Sequence, residues 1–280
     1  MLRYDKSGTV SHTVYIRVSG RKVPLLIVKP ANCKPSATGV LWIHGGGYIT
    51  GMKEMVYMGR SADLVRKFGV VVVSPGYHLA PLYKYPVALK ECYAALAFML
   101  KNADKLCINR DQIMVGGESA GGGLTAALTM LARDIGRINI AFQMPLYPMI
   151  DNFDTESSRD NHAKIWNTKT NHFGWRMYLG NRYNKRVPPY AAPAHQTDFS
   201  GLPSAYTFVS TAEPFYAETV QYVKDLKAAG VDVKLNIYEG MYHAFDMMEP
   251  EHETSKKAIA DFDEYFKFAQ ETFFAHNDIK

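Results

Sequence analysis

The stretch GESAG at residues 117–121 indicates how this chain folds. An apolar run at residues 113–115 precedes it, and a helical pattern at 124–128 follows it. A strand, a Gly-x-Ser-x-Gly turn and a helix together form a tight bend that exposes a serine hydroxyl above the end of a sheet. The flanking glycines are needed because side chains there would collide with the neighbouring strand and helix. The pattern therefore predicts Ser119 as a nucleophile.

A second glycine-rich motif, HGGG at residues 44–47, follows the apolar run 40–43. Acyl transfer develops a negatively charged oxygen, which pre-aimed backbone N–H groups stabilise in a site with little water. We assign the amides of Gly45, Gly46 and Ala120 to such an oxyanion hole, and we expect His44 to orient the loop. A phosphate-binding loop is disfavoured, because neither Gly-x-Gly-x-x-Gly nor Gly-Lys-Ser/Thr follows.

A serine hydroxyl needs an adjacent base near neutral pH, and His243 is the predicted base. It follows a strand-like run at residues 233–238 and a turn, and it precedes the last long helical pattern. A fold with this serine turn orders its catalytic residues as serine, acid and histidine. The other histidines come too early, fall in the irregular middle of the chain, or lie by the C-terminal helix.

The acid of the triad is expected at a strand end between Ser119 and His243. Glu213 follows the predicted strand 204–210 and precedes Pro214, which suits the first turn of a helix. Its carboxylate would hold the imidazole in the correct tautomer. Asp151, after an earlier strand, is the second candidate. Glu218, one helical turn further on, is predicted to be a solvated helix residue.

The composition excludes several classes of protein. The chain has 280 residues, enough for one domain with a small cap, with 47% hydrophobic and 21% charged residues. Its net charge of +5 comes from scattered residues and not from a basic block, so no nucleic-acid surface is predicted. No apolar run is long enough to span a bilayer. The polar N-terminus lacks the apolar core of a signal peptide.

The cysteines Cys33, Cys92 and Cys107 form an odd and sparse set without Cys-x-x-Cys. This pattern argues against a disulfide framework and against a structural zinc site. A reducing cytoplasm is the simplest compartment for such a chain. We therefore expect a cytoplasmic protein with no metal site.

Predicted strands and helices alternate after two antiparallel-looking strands, which is typical of a mostly parallel sheet covered by helices on both faces. The predicted strands span residues 13–18, 23–28, 40–43, 70–73, 113–115, 141–146, 205–209 and 233–238. The predicted helices span residues 53–67, 87–101, 121–133, 215–229 and 253–273. The irregular segment 151–200, with a short helix predicted at 173–179, is too long for a plain crossover and predicts a small cap inserted over the site. The rest of residues 1–280 reads as a single domain.

Four motifs together resemble those of the hormone-sensitive-lipase-like, HGGG-motif carboxylesterases of the α/β-hydrolase fold. They are HGGG at 44–47, YHLAP at 77–81, GESAGG at 117–122 and YEGMYHAF at 238–245. The resemblance runs from about residue 40 to the C-terminus. It implies an eight-stranded, mostly parallel α/β-hydrolase sheet.

The resemblance also implies a function: a serine carboxylesterase that hydrolyses short-chain esters, from acetyl to about hexanoyl, through an acyl-enzyme and without a metal or organic cofactor. The partner is a small ester substrate, with no nucleic acid and no membrane span, and relatives of this kind often form homodimers. The alternatives are a non-catalytic small-molecule receptor on the same fold, or a hydrolase of an amide or thioester. The receptor reading is disfavoured because all three triad positions are filled.

The chain departs from the family pattern at three places. Glu118 precedes the nucleophile where aspartate is usual, and the triad acid is Glu213 in place of aspartate. Gly76 and His78 stand where the family has aspartate and arginine, which removes an acid–arginine pair near the site.

Overall fold

A computed structural model of the chain describes residues 3–4 and 8–278. The strands, in chain order, are β1 (Arg3–Tyr4), β2 (Thr9–Val18), β3 (Arg21–Pro30), β4 (Ala37–Ile43), β5 (Val71–Pro75), β6 (Ile108–Glu118), β7 (Phe142–Leu146), β8 (Ala205–Ser210) and β9 (Val233–Tyr238). The α-helices are α1 (Arg60–Phe68), α2 (Val87–Lys101), α3 (Ala103–Leu106), α4 (Ala120–Ile135), α5 (Thr168–Leu179), α6 (Tyr216–Ala228), α7 (Phe245–Met248) and α8 (Glu253–Thr272). Short 3₁₀ turns lie at Lys53–Tyr57, Gly180–Arg182 and Pro193–His195.

All the strands belong to one sheet in the order β1-β2-β3-β5-β4-β6-β7-β8-β9. The first four in this order pair antiparallel, and every pairing from β5 to β9 is parallel. The carboxyl ends of the parallel strands therefore meet at one edge of the sheet, where ligands bind in open α/β folds. The predicted mostly parallel sheet is confirmed, with β1 as an additional strand beyond the predicted eight.

The two faces of the sheet are covered by different helices. In β5, Val71 and Val73 pack toward α2 and α4, while Val72 packs toward α1 and α8. All three valines are fully buried. A strand that is buried on both faces is expected to be apolar throughout, as this one is.

One predicted helix is wrong. The pattern at 53–67 forms a 3₁₀ turn, a break at Met58 and Gly59, and then α1. A β-carbon on Gly59 would lie 2.5 Å from Oε1 of Glu118, so the chain there passes directly over that buried carboxyl group. This close approach interrupts the helix and is not visible in the local sequence.

Several element bounds also differ from the prediction. β2 begins at Thr9 and not at residue 13, and β6 extends on both sides of the predicted 113–115. The short helix predicted at 173–179 begins earlier, at Thr168, where the Asn167 side chain accepts hydrogen bonds from the next turn. Within the described residues, no helix has both the length and the apolar character required to cross a membrane. The cap insertion at 151–200 stays a prediction.

Candidate active site

Ser119 lies in the bend between β6 and α4 with φ +59°. A serine in this region of φ is strained, and such residues persist only where the surrounding structure holds them. Its N–H donates to Leu146 O at 3.0 Å, and its carbonyl accepts from the N–H groups of Gly123 and Met149. Backbone hydrogen bonds from three sides therefore fix the bend.

The glycines that flank Ser119 have no room for a side chain. A β-carbon on Gly117 would lie 2.7 Å from the backbone of Gly121, and one on Gly121 would lie 2.7 Å from His44 O. Real β-carbons essentially never approach other atoms within 3.0 Å. The steric reason for the Gly-x-Ser-x-Gly pattern, predicted from the sequence, is therefore present in the structure.

A hydrogen-bonded chain joins three side chains from different strand ends. Nε2 of His243 lies 2.9 Å from Oγ of Ser119, and Nδ1 of His243 bonds to Oε2 of Glu213. Since a carboxylate only accepts, Nδ1 carries the proton and Nε2 is left to accept the Ser119 hydroxyl. This geometry is what a serine needs to become a nucleophile.

The surroundings hold the acid and the base of this chain in place. Oε1 of Glu213 accepts from the N–H of Ser210 at 2.9 Å, at the end of β8. The rings of Tyr147 and Phe215 both meet the His243 imidazole edge to face. Glu213 is fully buried, and Ser119 and His243 are nearly so. The site therefore excludes most water, which strengthens its electrostatic interactions.

The sequence assigned three backbone amides to an oxyanion hole, and all three lie beside Ser119. The N–H groups of Gly45 and Gly46 have no acceptor among the described residues. Ala120 is the first residue of α4, so its N–H has no acceptor within the helix. The N–H of Gly47, which the sequence reasoning did not assign, also lacks an acceptor in the described part of the chain.

His44 is held as part of the glycine loop. Its Nδ1 donates to Gly45 O at 2.8 Å, and its ring stacks on Tyr77 with 4.2 Å between centroids. The Tyr77 hydroxyl donates to His44 O at 2.9 Å. Burial lowers the pKa of His44 to about 4, so the ring is neutral near pH 7. These contacts suit the predicted loop-orienting role.

The two rival acids lie in other networks. Asp151 lies 3.6 Å from Nε2 of His195, in the segment 151–200. Glu218 is buried, and its Oε1 accepts from the N–H groups of Ile150 and Asp151 at 2.7 and 3.2 Å. The prediction that Glu218 is a solvated helix residue is therefore wrong, because this carboxyl group caps a backbone turn in the interior. Burial raises its pKa well above the ordinary range.

His78, one of the two residues that replace the family's acid–arginine pair, belongs to another network. Glu91 on α2 is fully buried and accepts from the N–H of His78 at 2.8 Å. It also accepts from Nε of Arg21 on β3 at 2.9 Å and from Nδ1 of His78 at 2.9 Å. The loop that carries His78 is therefore supported by an acid on a different element.

Glu118 is a buried carboxyl group directly before the nucleophile. Its Oε2 accepts from Nε1 of Trp42 at 2.9 Å. Burial, together with the nearby Asp246 carboxylate, raises the pKa of Glu118 to about 8. Arg60 lies 3.5 Å from Asp246 and partly offsets this effect. Glu118 is therefore mostly protonated near pH 7.

A small cavity of about 150 Å³ opens beside Ser119 and His243. The glycine loop forms one side of it. The other lining side chains are mostly apolar: Met55, Glu118, Tyr147, Ile165, Trp166, Ala244, Met247 and Met248. Larger depressions elsewhere on the surface contain none of the three hydrogen-bonded side chains. Within residues 3–4 and 8–278, no three or more His, Cys, Asp or Glu side chains are grouped to hold a metal ion.

Comparison with known proteins places this geometry among esterases. A family model described as alpha/beta hydrolase fold matches residues 40–247. The arylesterase of Saccharolobus solfataricus is 30% identical over 234 residues, which are 82% of this chain and 75% of that protein. The carboxylesterase NlhH of Mycobacterium tuberculosis is 30% identical over 228 residues, which are 80% of this chain and 71% of that protein.

Solved structures give the same picture. A bacterial heroin esterase has a TM-score of 0.86 and 31% sequence identity, covering 91% of this chain and 82% of its own. The esterase LipW from Mycobacterium marinum has a TM-score of 0.86 and 28% identity, covering 94% of this chain and 83% of its own. The likeness to both therefore extends over nearly the whole chain.

Proposed function

This chain belongs to the hormone-sensitive-lipase-like carboxylesterase family of the alpha/beta hydrolase fold, and from that membership we propose that it is a serine carboxylesterase. The single observation that carries the proposal is the chain of hydrogen bonds from Glu213 through His243 to Ser119, beside backbone amides without acceptors. The named activities of the relatives supply the reaction class, and the geometry supplies the roles.

Ser119 begins the reaction by attacking the ester carbonyl while Nε2 of His243 takes the hydroxyl proton. Glu213 holds the imidazole in the required tautomer and stabilises the imidazolium that forms. The carbonyl oxygen becomes negative, and the amides of Gly45, Gly46 and Ala120 donate to it. Because these amides are already in place, they need no reorganisation as the charge develops.

The second half of the reaction repeats these roles. The His243 imidazolium protonates the departing alcohol, which leaves the acyl group on Ser119. Water then enters, His243 takes a proton from it, and attack on the acyl carbonyl forms a second tetrahedral intermediate. Collapse of that intermediate returns the proton to Oγ of Ser119 and releases the carboxylic acid.

The size of the cavity supports small esters as substrates. An apolar protein cavity of about 150 Å³ accommodates a molecule the size of benzene, with six carbons. We therefore propose acyl groups from acetyl to about hexanoyl. The mostly apolar lining favours alkyl chains over charged or sugar groups.

The test compares Ser119→Ala with the wild-type protein on p-nitrophenyl acetate, with the surface variant Ser200→Ala as control. We expect Ser119→Ala to lose activity by a factor on the order of 10⁵ to 10⁶, with an unchanged circular dichroism spectrum. Ser200→Ala is expected to match the wild type. A fluorophosphonate probe is expected to label Ser119, as shown by peptide mass spectrometry. Activity retained in Ser119→Ala, or an unlabelled wild type, would favour the non-catalytic receptor instead.

We further propose that two copies pair through the free edge of β9. Among the described strands this one has a neighbour on one side only, and Ile237 on it is 47% exposed. Exposed strand edges are ready to pair with another chain. Light scattering coupled to size-exclusion chromatography is expected to give twice the mass of the chain, and Ile237→Lys is expected to give the monomer. A monomeric wild type would end this part of the proposal.

A cytoplasmic location completes the proposal. None of the three cysteines forms a disulfide in the structure, as suits a reducing compartment. Cell fractionation with an antibody to the native protein is expected to recover it with cytoplasmic markers. Recovery in the secreted fraction would contradict this expectation.

A further inference from the structure

A bent segment at residues 164–166 lies at the mouth of the cavity beside Ser119. The N–H of Trp166 donates to Lys164 O at 2.7 Å, which closes a three-residue turn around Ile165. Ile165 has φ +68°. A turn of this kind with a positive φ is rare and strained, and a β-branched residue is among the least suited to it. Something in the surroundings therefore holds Ile165 in this conformation.

The Trp166 indole is fixed between two glycines and supplies that support. A β-carbon on Gly47 of the oxyanion loop (residues 44–47) would lie 2.8 Å from Cζ2 of Trp166, and one on Gly174 of α5 would lie 3.2 Å from the same atom. The indole N–H also donates to Oδ1 of Asn171 at 3.3 Å. The ring therefore lies directly against the oxyanion loop, in a place that only glycine at position 47 leaves open.

Both residues border the cavity. Ile165 and Trp166 line it together with the glycine loop, Met55 and Met247. Ile165 is also 53% exposed, so its outer side is open to a partner that enters the cavity. Strained residues cluster at ligand-binding sites, where the strain holds a side chain that the ligand meets. The partner that this arrangement indicates is the apolar part of a bound substrate.

We propose that the turn at Ile165 and Trp166 sets the length of the unbranched apolar chain that the cavity accepts, and that it excludes chains of more than about six heavy atoms. This inference rests on the proposed esterase activity. The apolar substrate chain that this turn limits belongs to either the acyl group or the alcohol of the ester, since both are joined to the carbonyl carbon that Ser119 attacks. Trp166 forms the rigid part of the limit, and Ile165 forms its outer edge.

The first test enlarges the cavity with Trp166→Ala. The measured quantity is the ratio of kcat/KM for p-nitrophenyl octanoate to that for the acetate, which cancels differences in the amount of active enzyme. Each additional methylene that is buried is worth roughly a factor of four. We therefore expect the ratio to rise at least tenfold in Trp166→Ala and to change less than twofold in Trp166→Phe. A second series, acetates of ethanol to octanol followed by pH-stat, assigns the effect to the acyl or the alcohol side.

Phe173→Ala is the matched control. Phe173 is an aromatic residue on α5 with the same exposure as Ile165, 53%, but it does not line the cavity. We expect it to leave both ratios unchanged. A shift in this variant as large as that in Trp166→Ala would mean that loosening of the segment, and not the wall, sets the limit, and it would overturn the proposal.

The second test uses Ile165→Gly, which removes both the backbone strain and the side chain that borders the cavity. Glycine adopts a positive φ without penalty, so Ile165→Gly is expected to keep or raise the melting temperature while the octanoate-to-acetate ratio rises. A residue with only a structural role would show the reverse, a lower melting temperature and an unchanged ratio. If Trp166→Ala fails to fold, Ile165→Gly decides the matter.

The outcomes separate the two proposals. A wild type that hydrolyses neither series, and whose Ser119 is not labelled, refutes the esterase activity and this inference with it. A wild type that hydrolyses short esters but shows unchanged ratios in Trp166→Ala and Ile165→Gly, in both series, refutes this inference alone.

Discussion

Ser119 and Ile165 both line the cavity, and both have a positive φ, of 59° and 68°. Ser119 is 7% exposed, has a glycine two residues away on each side and is held by backbone hydrogen bonds from three sides. Ile165 is 53% exposed, has no glycine within two residues, and depends on one turn hydrogen bond and on the neighbouring Trp166 indole.

The difference shows two ways of holding a strained residue. At Ser119 the main chain of β7, of the loop after it and of α4 fixes the conformation, so a change there alters the reacting geometry itself. At Ile165 side-chain packing fixes it, so a change there alters what fits. We therefore expect substitutions around the bend at residues 117–121, the elbow, to reduce the catalytic rate or the stability of the fold. Substitutions around the segment 164–166 are expected to change selectivity at a small cost in stability.

The largest effect on the elbow side is expected for Glu213→Gln. The amide in place of the carboxylate no longer favours the tautomer with Nδ1 protonated and no longer stabilises the imidazolium. The kcat for p-nitrophenyl acetate is expected to fall by about 10³- to 10⁴-fold with little change in KM.

The control for this prediction is Asp151→Asn, at the rival acid. Asp151 is paired with His195 and not with His243. The kcat of Asp151→Asn for p-nitrophenyl acetate is therefore expected to remain close to that of the wild type. The opposite ranking of the two variants would transfer the acid role to Asp151.

A smaller effect, on folding, is expected for Gly121→Ala. The new methyl group would overlap the backbone carbonyls at the end of β4, and neither β4 nor α4 has room to move away. We expect a loss of about 3 kcal/mol or more in the free energy of unfolding by urea. Gly230→Ala, at φ +79° with open space, tests conformational strain alone and is expected to cost about 1 kcal/mol. Equal losses of unfolding free energy in Gly121→Ala and Gly230→Ala would mean that steric overlap contributes nothing at Gly121.

The buried carboxyl beside the elbow predicts a pH effect. Because the pKa of Glu118 is raised to about 8, the folded protein retains a proton there that the unfolded chain loses near its ordinary pKa. The folded state therefore loses stability as the pH rises from the ordinary carboxyl range to about 8, and none of this loss is present below that range. Between pH 6 and pH 8 the wild type is expected to lose on the order of 2 kcal/mol relative to Glu118→Gln.

The measurement is urea unfolding of both proteins at pH 6, 7 and 8. Subtracting the two curves removes the titration of other groups, apart from the part that Asp246 and Arg60 share with Glu118. Parallel curves for the two proteins would show that Glu118 is already ionised at pH 6.

The smallest effect is expected beyond the turn, at Asn167. Its side chain accepts from the N–H groups of Lys169 and Thr170 and begins α5 directly after Trp166. Asn167→Ala is expected to cost about 1 kcal/mol in urea unfolding. Lys169→Ala, which is exposed and leaves the cap intact, is the control. If Asn167→Ala lowered kcat for p-nitrophenyl acetate by as much as Glu213→Gln does, the distinction between a region that governs rate and one that governs selectivity would be wrong.

The features that can be predicted from the sequence are those that follow from the steric and hydrogen-bonding requirements of the backbone. Gly117, Gly121 and the HGGG loop are readable because only glycine tolerates the close approaches found there. The alternation of strands and helices could be predicted because the central strands β4, β5, β7 and β8 are buried along nearly their whole length. The order of serine, acid and histidine was sufficient to nominate Glu213 and His243, which the structure brings together.

The remaining features depend on contacts between distant parts of the chain. The break before α1 follows from the carboxyl of Glu118 against Gly59, and the burial of Glu218 follows from two amides near residue 150. The turn at Ile165 carries no local signal at all, because isoleucine is a residue that normally avoids such a conformation. Its place depends on an indole packed against a loop more than a hundred residues earlier.

The support of Ile165 by side chains has a consequence for the evolution of this site. Replacement of Ile165 by glycine or asparagine lowers the conformational energy of the turn, since both accept a positive φ more readily than isoleucine. A protein lineage with such a turn can thus widen its range of substrates without first acquiring a stabilising substitution elsewhere. Narrowing the substrate range again requires a substitution that restores the strained conformation. Divergence among such proteins is then expected to be easier toward generalists than toward specialists.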